Sequence, residues 1–190
     1  ALPVLAQPET LLWSTIPTPS DEDFVVVTPS EVSVLAIGSE TTWYASDISN
    51  LALYKTGDGG LTWDDAIQTS LLDAVPAPLL PVWDIAVAPD DEDFIVVVTD
   101  LRQEVYLSED GGETWDFTGL SSASGWDAAL LVADIAVSPE YGDGQRDIAV
   151  GTRNPTDAAV AGDVWVAQLE TLSTWSAQEV YDLFPVALTG

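Results

Sequence analysis

The stretch Tyr54-Lys55-Thr56-Gly57-Asp58-Gly59-Gly60-Leu61-Thr62-Trp63 decides the fold, because it returns as Tyr106-Leu107-Ser108-Glu109-Asp110-Gly111-Gly112-Glu113-Thr114-Trp115. Seven of the ten positions are the same or nearly so: an aromatic residue, a hydroxyl residue, Asp-Gly-Gly and a closing Thr-Trp. Asp-Gly between apolar, β-prone runs is a hairpin signal, since glycine accepts the positive φ that such a loop needs. The Asp carboxylate can accept backbone N–H groups across the loop, and the hydroxyl of Thr56 or Ser108 can tie its ends. Trp63 and Trp115, first on the outgoing strand, are placed to cover the turn with apolar area. Every part of this reading concerns folding, and none needs a substrate.

The element resembles the Asp-box, or BNR repeat, with the pattern S/T-x-D-x-G-x-T-W. Thr56, Asp58, Gly60, Thr62 and Trp63 match each defined position, as do Ser108, Asp110, Gly112, Thr114 and Trp115. The resemblance implies an all-β, propeller-like array of four-stranded antiparallel blades. In that family the box lies on the hairpin between the third and fourth strands of a blade, away from any active site. Sialidases, xyloglucanase-like glycosidases, sortilin-type receptors and photosystem II assembly factors share it. It therefore speaks to fold and leaves function open.

Working outward, short β-prone runs alternate with turn residues from Trp13 onward, with hardly any helical periodicity. An acidic turn precedes a buried strand at Asp21-Glu22-Asp23, before Phe24–Thr28. It does so again at Asp90-Asp91-Glu92-Asp93, before Phe94–Thr99. Two near-copies of a strand, Asp84-Ile85-Ala86-Val87-Ala88-Pro89 and Asp134-Ile135-Ala136-Val137-Ser138-Pro139, end at a proline, which stops a ladder where the turn begins. Trp63 to Trp115 spans 52 residues, slightly above the ~40–50 of propeller repeats.

The expected organisation is a lead-in and partial blade over 1–30 and a blade with a box over 31–69. Blades over 82–120, with the second box, and over 132–180, with a degenerate box ending in Thr174-Trp175, follow, and 181–190 begin a further strand. Blade one has Val32–Ile37 and Thr42–Ala45 as inner strands and a strand after its box. Three blades and fragments make roughly 14–16 strands, fewer than the four to eight blades of a closed propeller. A segment of a longer protein or a self-assembling unit is expected, since open strand edges template pairing with neighbours.

Composition narrows function. Four basic residues, Lys55, Arg102, Arg146 and Arg153, stand against 32 Asp and Glu, for a formal charge of −28. Nucleic acid is excluded as a partner, because phosphate binding depends on clustered Lys and Arg. Adhesion to an anionic membrane is disfavoured on the same ground, and no apolar run reaches the ~20 residues of a membrane-spanning helix. Acids in such excess repel unless solvated, screened or bound to cations, so Ca²⁺ is a candidate ion, and no cofactor is required. Asp90, Asp91 and Asp93 are the candidate ligands, although neighbours in an extended chain point apart. The absence of Cys, His and Met removes thiolate chemistry, the usual general base and an initiator residue. These features fit an exported protein, extracellular or at the cell surface, with its signal removed.

Sialidases grip their substrate through three arginines, the first in Arg-Ile-Pro, and no arginine here is followed by Ile-Pro. A glycosidase of the propeller type needs only two placed carboxylates, which sequence neither supports nor excludes. The photosystem II assembly family uses a basic patch absent from this chain. The expectation is a non-catalytic module for protein binding or self-association, with carbohydrate as a further candidate partner. Trp43, Tyr44, Trp126 and Tyr141 are the candidate contact aromatics, weighed against core packing.

Overall fold

The computed structural model describes residues 31–142, 144–156, 162–169 and 175–178. The expected lead-in over 1–30, the acidic turn at Asp21–Asp23, most of the degenerate box and the closing strand over 181–190 lie outside the described residues. What is described is an all-β array of three antiparallel sheets in chain order. Sheet one holds β1 (Val32–Ile37), β2 (Trp43–Asp47) and β3 (Ala52–Thr56). Sheet two holds β4 (Asp84–Ala88), β5 (Asp91–Thr99), β6 (Glu104–Ser108) and β7 (Asp116–Phe117). Sheet three holds β8 (Leu131–Val137), β9 (Asp147–Arg153), β10 (Val164–Gln168) and β11 (Ser176–Gln178). Within each sheet the strands run as a meander, and the first strands pack on one another, β1 against β4 and β4 against β8. That is a propeller-like arrangement.

Strand β5 shows why the middle sheet holds the array together. Ile95, Val96, Val97 and Val98 are fully buried, because this strand is covered on both faces and so reads as a continuous apolar run. Period-2 alternation shares it between two cores. Phe94, Val96 and Val98 join Ile135, Ile148, Val150 and Trp165 of sheet three, while Ile95 and Val97 join Tyr44 and Leu53 of sheet one. Each valine so buried contributes about 1.5–3 kcal/mol relative to exposure.

Sheet one departs from expectation. No fourth strand follows its hairpin among the described residues; Lys55 and Asp64 exchange N–H···O bonds at 2.8 Å as an isolated bridge, and a helix, α1 (Ala66–Leu72), begins at once. Ile67 and Leu71, four residues apart on one helical face, are buried against the sheets. Gln68, on the same turn, accepts the outward N–H of Leu53 at 2.8 Å and so caps part of the β3 edge that a fourth strand would have paired. The stretch over 73–81 then crosses beneath sheet two, held by Tyr106 Oη donating to the Pro76 carbonyl at 2.9 Å and by the Asp100 N–H bonding the Leu79 carbonyl at 3.0 Å. Among the described residues no helix is long and apolar enough to cross a membrane.

Candidate functional site

The two Asp-Gly-Gly turns are built alike. In the first, the Thr56 hydroxyl donates to Asp58 Oδ1 at 2.8 Å and accepts the Gly60 N–H at 3.0 Å. Asp58 then collects the Leu61 and Thr62 amides, each at 2.9 Å, and the Thr62 hydroxyl at 2.6 Å. In the second, Ser108 donates to Asp110 at 2.7 Å and accepts Gly112 N–H at 2.8 Å, while Asp110 takes the Thr114 amide and hydroxyl. Bonds from the Thr62 hydroxyl and amide, then the Thr56 hydroxyl, hold the Asp58 carboxyl down at about 2. At Asp110 burial pushes upward, and the Thr114 and Ser108 bonds outweigh it to leave a net lowering.

A folded-state pKa below the unfolded ~3.9 contributes stability that is complete above that value and disappears as pH falls through the folded one. The turns are thus expected to weaken between about pH 4 and pH 2. A double variant, Asp58→Asn with Asp110→Asn, should melt below the wild type at pH 6, and the gap should close near pH 2. Thermal melts across that range check it; a gap independent of pH would contradict the assignment.

The turns differ in what they touch. Gly111 and Gly112, at φ of +72° and +95°, press on α1 and on the Lys55–Asp93 pair: a Cβ on Gly112 would come within 2.8 Å of Ile67 Cγ2, and one on Gly111 would collide with Lys55 Nζ and Asp93 Oδ1. Lys55 donates to the Gly111 carbonyl at 2.9 Å and lies 3.5 Å from Asp93. Trp115 is 8% exposed and donates from Nε1 to Ser70 Oγ at 3.2 Å, while the Ser70 hydroxyl donates to the Gly112 carbonyl. Trp63, the matching residue of the first turn, is only half-buried.

Between the second turn and α1 runs a groove of two adjoining hollows of about 460 and 420 Å³, which share Ser70 and Glu113. Its floor is apolar, with Ile67, Ala74 and Trp115, and its rim carries the carboxylates Asp64, Asp73, Glu113 and Asp116. Lys55 is the one cation of the lining, and it is engaged as described. Such a groove suits an apolar side chain, or the stem of a Lys or Arg with its charge at the acidic rim. Sequence reasoning missed it because the helix that forms one wall is under two turns long. The signal was the Ile67/Leu71 spacing directly after the first turn.

The acidic run at Asp90–Asp93 serves two neighbours. Asp90 accepts from Arg146 Nη1 at 2.5 Å and from the Glu140 amide at 2.8 Å, and Asp91 lies 4.0 Å from the same guanidinium. The Glu92 carbonyl accepts from Tyr44 Oη at 2.9 Å, and the Glu92 carboxylate from Thr42 at 3.2 Å. The run thus clips sheet two to sheet three on one side and to sheet one on the other. Asp90, Asp91 and Asp93, the candidate Ca²⁺ ligands, do not converge, and no group of three acids arranged to hold a metal occurs among the described residues.

Nor do the four candidate aromatics meet. Tyr44 is wholly buried core, its hydroxyl pushed up by burial and by Asp93, Glu92 and Asp91. Trp43 is half-buried and bonds the Ser39 carbonyl at 3.0 Å, and Trp126 packs edge-on against Trp165, centroids 5.5 Å apart. Tyr141 alone is exposed, its hydroxyl accepting from Gln168 at 2.8 Å. On the inner strands Asp84 and Asp134 are near neighbours; burial, then the Asp134 charge, push the Asp84 carboxyl up against the opposing pull of its Ile85 amide bond.

No family model matches the chain, and no curated protein matches it in sequence. It is similar to the solved structure of YCF48 from Cyanidioschyzon merolae, with 14% identity and a TM-score of 0.48 over 78% of this chain and 37% of that one. A structure of YCF48 bound to D1 peptide is similar at 16% identity and TM-score 0.41, covering 86% and 46%. The GH74 enzyme of Niastella koreensis is similar at 15% identity and TM-score 0.45, covering 74% and 20%. The chain spans less than half the length of each of these proteins.

Proposed function

We propose that this chain is a non-catalytic propeller module of the Asp-box type that works by binding protein, at a cell surface or outside the cell. The observation that carries the reading is the groove beside α1, with an apolar floor and an acidic rim. It is supported by where the charged groups go: Lys55 and Arg146 are spent clipping sheets together, and Arg102 stacks on Trp83 at 4.9 Å. With no basic patch among them, the anionic head groups and nucleic acids that cations recruit have no docking point here. The expected ligand is a protein segment carrying apolar and basic side chains. Ca²⁺ remains a candidate bridging ion for the unpaired surface acids, and carbohydrate a lesser ligand.

One observation favours a second reading, a carboxylate glycosidase. Asp84, half-buried with a raised pKa, stands beside Asp134, and such a pair is what a general acid and its partner require. Against it, Asp84 is already held by the backbone amide of Ile85 at 2.9 Å. A panel of β-glucans and sialosides, scored for released reducing sugar, tests both readings. No turnover is expected. Turnover that Asp84→Asn abolishes would replace the binding module with an enzyme. In the same study, an extended Leu/Lys peptide should quench Trp115 fluorescence in the wild type and bind about tenfold more weakly to Glu113→Lys, a change of about 1.4 kcal/mol.

A further inference from the structure

The two hollows of the groove beside α1 differ in what lines them. The first is bounded by Ala66 and Ile67 of the helix and by the backbone of Gly57, Gly111 and Gly112, with Lys55 and Asp64 at its edge. The second is bounded by Ala74, Val75 and Trp115 and by the carboxylates Asp73, Glu113 and Asp116, with no cation among them. Ser70 and Glu113 form the wall between the two.

The carboxylates that hold the array together are already engaged: Asp58 and Asp110 by their own turns, Asp90 by Arg146 and Asp93 by Lys55. Those of the second hollow are not. Asp73, Glu113 and Asp116 are exposed, and their carboxylates form no hydrogen bond or ion pair among the described residues. They are also dispersed, since no three acids among the described residues are placed to hold one metal ion. Dispersed carboxylates suit a broad, planar cation with several donors, which is a guanidinium rather than an ammonium or a metal ion. The indole of Trp115 on the floor gives such a plane a ring to stack on.

The first hollow has the opposite bias. Ala66 and Ile67 make its floor apolar, and its three glycines present bare backbone, which leaves its width to an incoming aliphatic side chain. Lys55, fixed on the Gly111 carbonyl at 2.9 Å, would repel a second cation there. Hollows that share a wall lie one side chain apart. In an extended chain, residues i and i+2 project from the same face about 7 Å apart, while residue i+1 points away.

We propose that the groove selects two positions of an extended partner segment: an aliphatic side chain in the first hollow and, two residues away, an arginine in the second. The guanidinium lies over Trp115 and donates to the carboxylates around it. This pair rests on the protein-binding reading above and narrows its ligand from any apolar and basic segment to one residue type at each position and one spacing. The formal charge of −28 draws such a segment toward the chain. Salt weakens the hold of the second hollow and spares the apolar contact of the first.

The test is calorimetric titration of the wild type with the blocked pentapeptide Thr-Leu-Thr-Arg-Thr and its reverse, Thr-Arg-Thr-Leu-Thr. Versions of each carry Lys or Gln in place of Arg, or place Leu and Arg side by side. In the better direction, the arginine peptide should bind about tenfold tighter than its lysine, glutamine and side-by-side versions. Raising NaCl from about 0.02 M to about 0.5 M should remove most of its lead over the glutamine peptide. Gly57→Leu places a side chain at the first hollow, where a Cβ meets nothing within 4 Å, and Glu109 occupies the matching place of the second turn. It should weaken every peptide that carries leucine. Asp73→Asn with Asp116→Asn should bring the arginine peptide down to the level of the glutamine peptide. Should either variant fail to fold, the wild-type series decides alone. Equal affinity for arginine and lysine, or for the two spacings, overturns this inference and leaves the protein-binding reading standing. So does binding that neither variant weakens, which would place the peptide outside the groove. Binding of none of the peptides overturns both.

Discussion

Replacing Trp115 by alanine should lower the stability of the fold by about 3–5 kcal/mol, the range for deleting a buried aromatic side chain. The residue belongs to the core shared by sheets one and two, and its indole N–H is satisfied by Ser70 of α1. Its loss removes the contact that seats the helix against the second turn and leaves the Ser70 hydroxyl short of a donor. For a domain of this size the melting temperature should fall by roughly 10 °C. The matching Trp63→Ala should cost about 1–2 kcal/mol, since Trp63 is only half-buried. Urea unfolding of both variants measures the difference. Equal losses would mean that the two turns carry equivalent tryptophans and that α1 is not held by Trp115. Because Trp115 also floors the groove, Trp115→Phe, which keeps most of the apolar area, separates ligand binding from stability.

Replacing Arg146 by methionine should cost about 2–3 kcal/mol. Its side chain is 8% exposed, stacks over Phe94 at 4.7 Å, and donates to the Ser138 carbonyl at 3.0 Å as well as to Asp90. Methionine retains the packing volume but leaves that carbonyl without its donor and removes the bond between sheets two and three. Arg146→Lys should recover less than half of the loss, because an ammonium cannot fork between two acceptors and stack at once. Combining Arg146→Met with Asp90→Asn should be less costly than the sum, since the two groups serve one link. Strict additivity in chemical denaturation would show that the link contributes nothing.

How much of this was legible in the chain follows from the range of the forces involved. The ten-residue repeat specified its own turn, because every bond in it, from Thr56 to Asp58 and on to Thr62, lies within a few residues. The apolar runs specified strands, and the continuous run in β5 specified a strand buried on both faces. Composition set the expectation that nucleic acid is not a partner, through the scarcity of cations. The helix after the first turn was not legible, because seven residues with one i, i+4 pair carry little periodicity and draw their stability from Leu53, Gly112 and Trp115 across the groove. Tyr44 looked like a surface aromatic because its core position depends on Glu92 of another sheet. The acidic run looked like one site for the same reason: its residues are adjacent in the chain, but Arg146 and Lys55, which divide it, lie some fifty and some forty positions away.

By itself, then, the sequence determined the turns, the strands, their meander and the acidity of the surface, all of which follow from neighbouring residues and from counting charges. Only the tertiary structure decided which faces of the strands are spent on the next sheet, where the groove lies, and which ions serve as clips. Those outcomes depend on pairs distant in the chain, whose encounter is set by how whole sheets pack rather than by any local preference.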